Sequence, residues 1–311
     1  VSNVTPILSF IEVPGAAARS GVARRMAWWD WPAQPGGNPD HVVLCVHGLT
    51  RQGRDFDALA QALSAHARVI AVDVAGRGHS DWLADPQLYQ VPTYVGDMLA
   101  LMQHLRTQRP GVRIDWVGTS MGGLIGMGVA SLPEHAPRRL VLNDVGPALE
   151  WRALLRIGTY VGADPVFPSV QAAVDALAIL SVGFGPHTPD QWRELCLPML
   201  RERDGRWGLH YDPAIGDAFK ALLQLPPDVA QQAAAAGEAA LWAAYDAITA
   251  PTLVIQGEHS DLLSTATLQA MTQRGPRART HTVAGVGHAP TLVAADQIAV
   301  VRDFLFGDAH G

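Results

Sequence analysis

Gly118-Thr119-Ser120-Met121-Gly122 has the form G-x-S-x-G. In this pattern a strand turns abruptly into a helix, the serine takes a strained backbone, and the flanking glycines let neighbouring chain pass close by. The turn would lift the Ser120 hydroxyl clear of its surroundings as a nucleophile. It would also put the Met121 backbone N–H at a helix N-terminus, where it can donate to an oxyanion. His47-Gly48-Leu49-Thr50 closes an earlier apolar run. There the Leu49 N–H is read as the second oxyanion donor, and the His47 side chain as a group that orders the loop. A serine hydroxyl needs a base. The chain has 12 histidines, so residue type alone selects none of them. His288, in Gly285-Val286-Gly287-His288-Ala289-Pro290, follows the last strand signal on a glycine-rich loop and is read as that base. His79, in Gly76-Arg77-Gly78-His79-Ser80, is the rival, in a context that looks structural. The base in turn needs a carboxylate, which in chains with this elbow lies between serine and histidine. Asp261 fits, on the loop after an apolar run at Thr252–Gln256. Asp144, at the end of the run at Arg139–Asp144, is the alternative. His259 lies near Asp261 but has no paired ligand spacing around it, so neither a metal nor an organic cofactor is expected.

These residues need a frame that brings distant loops together. Short apolar runs at Val42–Val46, Arg68–Val74, Ile114–Val117, Arg139–Asp144 and Thr252–Gln256 read as strands, with Arg279–Val283 as a sixth. Segments of helical spacing at 55–67, 94–106, 124–131 and 297–306 alternate with them. That alternation predicts a parallel sheet covered on both faces. Ser9–Val13 and Arg24–Trp31 are expected to form an antiparallel hairpin at its edge. The alternation breaks between Val145 and Ala250, a stretch with no convincing strand and with helical patches at 151–160, 169–180, 189–203 and 228–246. This predicts a core of 1–144 and 251–311 and a helical cap of 145–250.

Composition narrows the function classes. With 311 residues, 48% of them hydrophobic, the chain can bury a large core. A formal charge of −6 without a basic block argues against nucleic acid as partner. No apolar stretch approaches the length of a membrane span. The two cysteines, Cys45 and Cys196, lie in unrelated contexts, and a reducing cytoplasm fits them. Self-association is left open.

Together, His47-Gly48, the Asp73…Gly76-Arg77-Gly78-His79-Ser80 segment, the elbow and the Asp261 and His288 loops resemble the α/β-hydrolase superfamily, over roughly Val42 to Phe306. The resemblance is to its single-chain, helical-cap branch of esterases, lactonases, C–C bond hydrolases and haloperoxidase-like enzymes. It implies a mainly parallel eight-stranded sheet, a cap between strands six and seven, and a Ser-His-Asp triad. The expected activity is cleavage of small-molecule carboxylic esters through an acyl-enzyme. The alternatives are C–C hydrolysis of a diketone or dienoate, and a slow-turnover ligand receptor that retains the triad. The predicted cap carries Trp151, Tyr160, Phe167, Phe184, Trp192, Trp207, Tyr211, Phe219, Trp242 and Tyr245, and no evident exposed apolar anchor. It is therefore expected to restrict substrates to small or medium acyl chains. Arg51 and Arg54 follow the oxyanion loop, where they could meet an acidic group or stay solvated.

Overall fold

A computed structural model describes residues 4–13 and 23–307, so parts of the expected core span, 1–3, 14–22 and 308–311, lie outside the described residues. The strands are β1 (Ile7–Val13), β2 (Arg24–Trp31), β3 (Asn38–Val46), β4 (Ala67–Asp73), β5 (Arg113–Thr119), β6 (Leu140–Asn143), β7 (Val166–Phe167), β8 (Leu200–Arg203), β9 (Arg206–Leu209), β10 (Thr252–Gly257) and β11 (Arg279–Val283). Eight of them form one sheet in the order β1-β2-β4-β3-β5-β6-β10-β11. Pairing is parallel from β4 to β11, while β2 runs antiparallel to both β1 and β4. The expected α/β-hydrolase sheet and its edge hairpin are both present.

Burial explains the continuous apolar runs. Residues His41 to Val46 of β3 are all buried, because both faces of the sheet are covered. Val42, Leu44 and Val46 enter one hydrophobic cluster, and Val43 and Cys45 the other, as the two-residue period of a strand requires. The first cluster is closed by α2 (Val91–Gln108) and α3 (Met121–Ala130), the second by α1 (Asp57–Leu63) and the helix Ala295–Phe306. In α2 the buried Tyr94, Met98, Leu101, Met102 and Leu105 follow helical spacing. Cys45 and Cys196 are free and buried, and burial pushes the Cys45 thiol far up.

Between β6 and β10 the chain forms α4 (Trp151–Gly158), α5 (Val170–Leu180), α6 (Pro189–Cys196), α7 (Asp217–Leu223) and α8 (Pro227–Asp246). It also forms a three-stranded antiparallel sheet, β7-β9-β8, which corrects the expectation of a purely helical segment. The reason is local. Asp204-Gly205 joins β8 to β9 with positive φ at both residues, 52° and 74°, the two-residue hairpin turn that Asp-Gly favours. The flanking Leu-Arg-Glu-Arg and Arg-Trp-Gly-Leu carry too much charge to read as strands by apolar alternation. A second expectation also fails. Ile179, Leu180 and Val182 are each at least 75% exposed, so this segment does carry an exposed apolar patch. Among the described residues no helix is long and apolar enough to cross a membrane.

Candidate active site

Parallel strands deliver their following loops to one edge of the sheet, where α/β folds place their sites. β3 leads there into His47, β5 into Ser120, β6 into Asp144, β10 into Ser260 and Asp261, and β11 into His288. Ser120 caps α3 with φ 52° and ψ −115°, the strained backbone that the G-x-S-x-G turn predicts. The glycines are needed for close approach. A Cβ on Gly122 would lie 1.9 Å from the Val46 carbonyl oxygen, and one on Gly118 2.3 Å from that of Gly122. Met121 is the first residue of α3, so its N–H is one of the helix's unpaired terminal donors.

The imidazole of His288 bridges two residues. Its Nε2 lies 3.0 Å from Ser120 Oγ, and its Nδ1 lies 2.7 Å from Asp144 Oδ2. Asp144 is fully buried and takes a left-handed backbone, φ 55°, that turns it back over the end of β6. It accepts from the Gly257 N–H at 2.9 Å through Oδ1 and from the Ser260 hydroxyl at 2.7 Å through Oδ2.

The structure corrects the choice of acid: Asp144, not Asp261, meets His288. Asp261 points outward, 45% exposed, and accepts two hydrogen bonds from Arg156 of α4 at 2.6 and 2.8 Å. Burial pushes its carboxyl up, but the Arg156 hydrogen bonds and charge outweigh that and hold it below the ordinary value. Both acids satisfy the chain order, so order could not separate them. The usable signal was conformational. Asp144 directly follows β6, and aspartate tolerates the left-handed turn needed there, whereas Asp261 sits at the tip of a longer loop whose inward member is Ser260.

His47 orders its loop, as expected. The Val74 N–H donates to its Nε2 at 3.0 Å, so the ring proton is on Nδ1, which donates to the Gly48 carbonyl at 2.7 Å. Burial above all, aided by the Arg77 and Arg51 charges and opposed by the Gly48 hydrogen bond, lowers its pKa to about 3, so the ring is neutral. Peptide N–H and C=O point in opposite directions, so gripping the Gly48 carbonyl aims the Leu49 N–H the other way. A Cβ on Gly48 would lie 3.7 Å from that of Ser120, which puts this loop beside Ser120. His79, the rival base, stacks edge-on against Trp29 and His210 instead.

Sequence pattern did not single out Asn143, which ties the edge together. Its Nδ2 donates to Thr119 Oγ1 at 3.0 Å and to the Pro290 carbonyl at 2.8 Å, linking β6 to the elbow and to the His288 loop. The only signal was a polar residue ending the apolar run Leu140-Val141-Leu142. Arg51 is not solvated: it pairs with Asp55 and donates to the Leu195 carbonyl at 3.2 Å. Beside it a small cavity opens between His47, Thr119, Phe184 and Pro290. Arg54 pairs with Asp57. Among the described residues no group of three or more His, Cys, Asp or Glu could hold a metal ion.

Comparison with known proteins agrees with this architecture. A 3-hydroxybutyrate-oligomer hydrolase of Cupriavidus necator is 44% identical over 98% of this chain and 99% of its own. A 2-(acetamidomethylene)succinate hydrolase of Mesorhizobium japonicum is 30% identical over 79% of this chain and 81% of its own. The crystal structure of an α/β hydrolase from Novosphingobium aromaticivorans superposes with a TM-score of 0.79 at 32% identity, covering 98% of this chain and 99% of that one. The family model for serine aminopeptidase, S33, matches residues 37–292, well over half the chain, so this protein belongs to that family of α/β hydrolases.

Proposed function

We propose that the protein is a serine esterase that cleaves carboxylic esters through an acyl-enzyme on Ser120. The observation that carries this reading is the hydrogen-bonded line Ser120–His288–Asp144, 3.0 and 2.7 Å long, beneath a neutral, oriented His47-Gly48-Leu49 loop. With Asp144 accepting from Nδ1, the free Nε2 of His288 takes the Ser120 proton as Oγ attacks the ester carbonyl carbon. The Leu49 and Met121 N–H groups receive the oxyanion. His288 then protonates the departing alcohol, and the acyl group stays on Ser120. Water, deprotonated by the same Nε2, attacks the acyl carbon and releases the acid and Ser120.

For the substrate, the Cupriavidus relative's name supports esters that link short hydroxyacid units, a class within the small and medium acyl range. Residues 145–250 act as a cap in this reading. The partly buried Phe167, Trp192, Trp207, Phe219 and Trp242 pack it down, and Phe184 borders the cavity next to Thr119. The test is Ser120→Ala, assayed on a soluble hydroxybutyrate dimer ester. Turnover should fall ~10³-fold or more with the fold intact. Turnover like the parent's would remove Ser120 from the chemistry and the reading with it.

A further inference from the structure

Arg77 is a fully buried cation, and its guanidinium spends its hydrogen bonds on the chain around the oxyanion loop. Nε donates to the Leu49 carbonyl at 2.9 Å. Nη1 donates to the Ala75 carbonyl at 2.7 Å and to the Tyr94 hydroxyl at 2.9 Å. Nη2 reaches the Met121 sulfur at 3.5 Å. None of these partners is a carboxylate. The rings of Tyr94 and Tyr89 flank the guanidinium at 5.1 and 5.7 Å.

A buried guanidinium with no direct carboxylate partner among the described residues is costly, because its lost hydration is repaid by neutral oxygens, a sulfur and ring faces. The local backbone is built to hold it there. Gly76 and Gly78, on either side, both have positive φ, 80° and 53°. A Cβ on Gly76 would meet the Tyr89 ring at 2.6 Å, and one on Gly78 the Asp73 carboxylate at 2.3 Å. The chain thus turns sharply before and after Arg77 and sends its side chain inward. Two of its contacts are on Leu49 and Met121, the residues whose N–H groups are read as the oxyanion donors.

We propose that Arg77 is a positioning residue for the oxyanion hole, its buried charge holding the Leu49 strand of the loop in place and favouring negative charge developing on the scissile carbonyl oxygen. This rests on the serine-esterase reading above. Two effects act together. Gripping the Leu49 carbonyl fixes the peptide that follows the donor N–H, while His47 fixes the peptide that contains it. A positive charge in a dry interior without a directly paired carboxylate also acts more strongly on a nearby anion than it would in water. Since the oxyanion exists only in the transition state and the tetrahedral intermediate, the contribution belongs in kcat rather than in ground-state binding.

The test compares Arg77→Met, which keeps length and loses charge and donors, with Arg77→Lys, which keeps the charge, and runs Ser120→Ala alongside. The expected result for Arg77→Met is a kcat reduced ~10-fold or more with KM within about threefold of the parent, less than the loss typical of deleting a direct oxyanion donor. Arg77→Lys should recover a substantial part of that kcat. Should Arg77→Met fail to fold by circular dichroism, the same readings are taken on Arg77→Gln. The proposal is overturned if kcat stays within twofold of the parent, if the loss falls on KM alone, or if Lys is no better than the uncharged variant. A fully active Ser120→Ala would sink the esterase reading itself. An inactive Ser120→Ala with a parent-like Arg77→Met would sink only the role of Arg77.

Discussion

At the scale of single residues, the two candidate acids differ in what their carboxylates already do. Asp144 accepts from His288, from Ser260 and from the Gly257 N–H inside the protein, while Asp261 faces Arg156 at the surface. Changing Asp144 to Asn presents an NH₂ where an acceptor is needed, which favours the imidazole tautomer with its proton on Nε2. That tautomer cannot take the serine proton, and the equivalent change costs ~10⁴-fold in a serine protease of another fold. Asp261→Asn weakens an exposed ion pair of a kind contributing about 1 kcal/mol or less. We expect Asp144→Asn to lose at least ~10³-fold in kcat and Asp261→Asn to stay within a few-fold, both measured with circular dichroism on the same preparations. A crippled Asp261→Asn beside an active Asp144→Asn would reverse the assignment. Ser120 and His288 were legible in the sequence because each stands in a glycine frame that few other functions require. The acid was not, because a carboxylate at a strand end has no such frame and is selected by one backbone torsion.

At the scale of elements, the elbow is a packing problem before it is a catalytic one. α3 starts so close to β3 that Gly122 leaves no room for a Cβ beside the Val46 carbonyl, and backbone cannot step aside as a flexible side chain would. Gly96, inside α2, has nothing within 4 Å of its would-be Cβ and no positive φ. Alanine should therefore have opposite effects at the two sites. Gly122→Ala is expected to destabilise by ~3 kcal/mol and to lose activity by displacing Ser120. Gly96→Ala should stabilise by ~0.5–1 kcal/mol, since alanine has the higher helix propensity. Urea unfolding of both variants checks this, and a Gly122→Ala protein as stable as the parent would contradict the close approach of α3 and β3. The same scale explains why the core strands were readable and β8–β9 was not. Core strands are buried on both faces and announce themselves as apolar runs. The β8–β9 hairpin is held by the Asp204-Gly205 turn, with arginines and a glutamate on its strands, so only the turn residues marked it.

At the scale of the whole molecule, the segment between β6 and β10 is fastened around the candidate site from several directions. The Gly287 N–H donates to the Gly183 carbonyl at 2.6 Å, one residue from His288, and the His187 ring lies 2.8 Å from Thr291 Oγ1. Arg51 reaches the Leu195 carbonyl, Tyr89 donates to Asp212 at 2.6 Å, and Arg77 forms a backbone bridge with Tyr211. Opening the site widely would break these together, so the reading of 145–250 as a cap predicts a substrate that fits beneath the segment as it stands. The exposed Ile179, Leu180 and Val182 pull the expectation the other way, since an apolar patch beside a site is what an enzyme working at a lipid surface would use. The two readings diverge in a chain-length series. With the segment closed, turnover of nitrophenyl esters should peak at butyrate or hexanoate and fall at least ~10-fold by palmitate, with no rise when palmitate ester passes its micelle concentration. Soluble hydroxybutyrate dimers and trimers should then be cleaved faster than a suspended polymer of the same unit. If palmitate is the best substrate and its turnover jumps at the micelle threshold, the segment opens at interfaces, the patch is the surface it opens on, and the restriction to short esters is wrong.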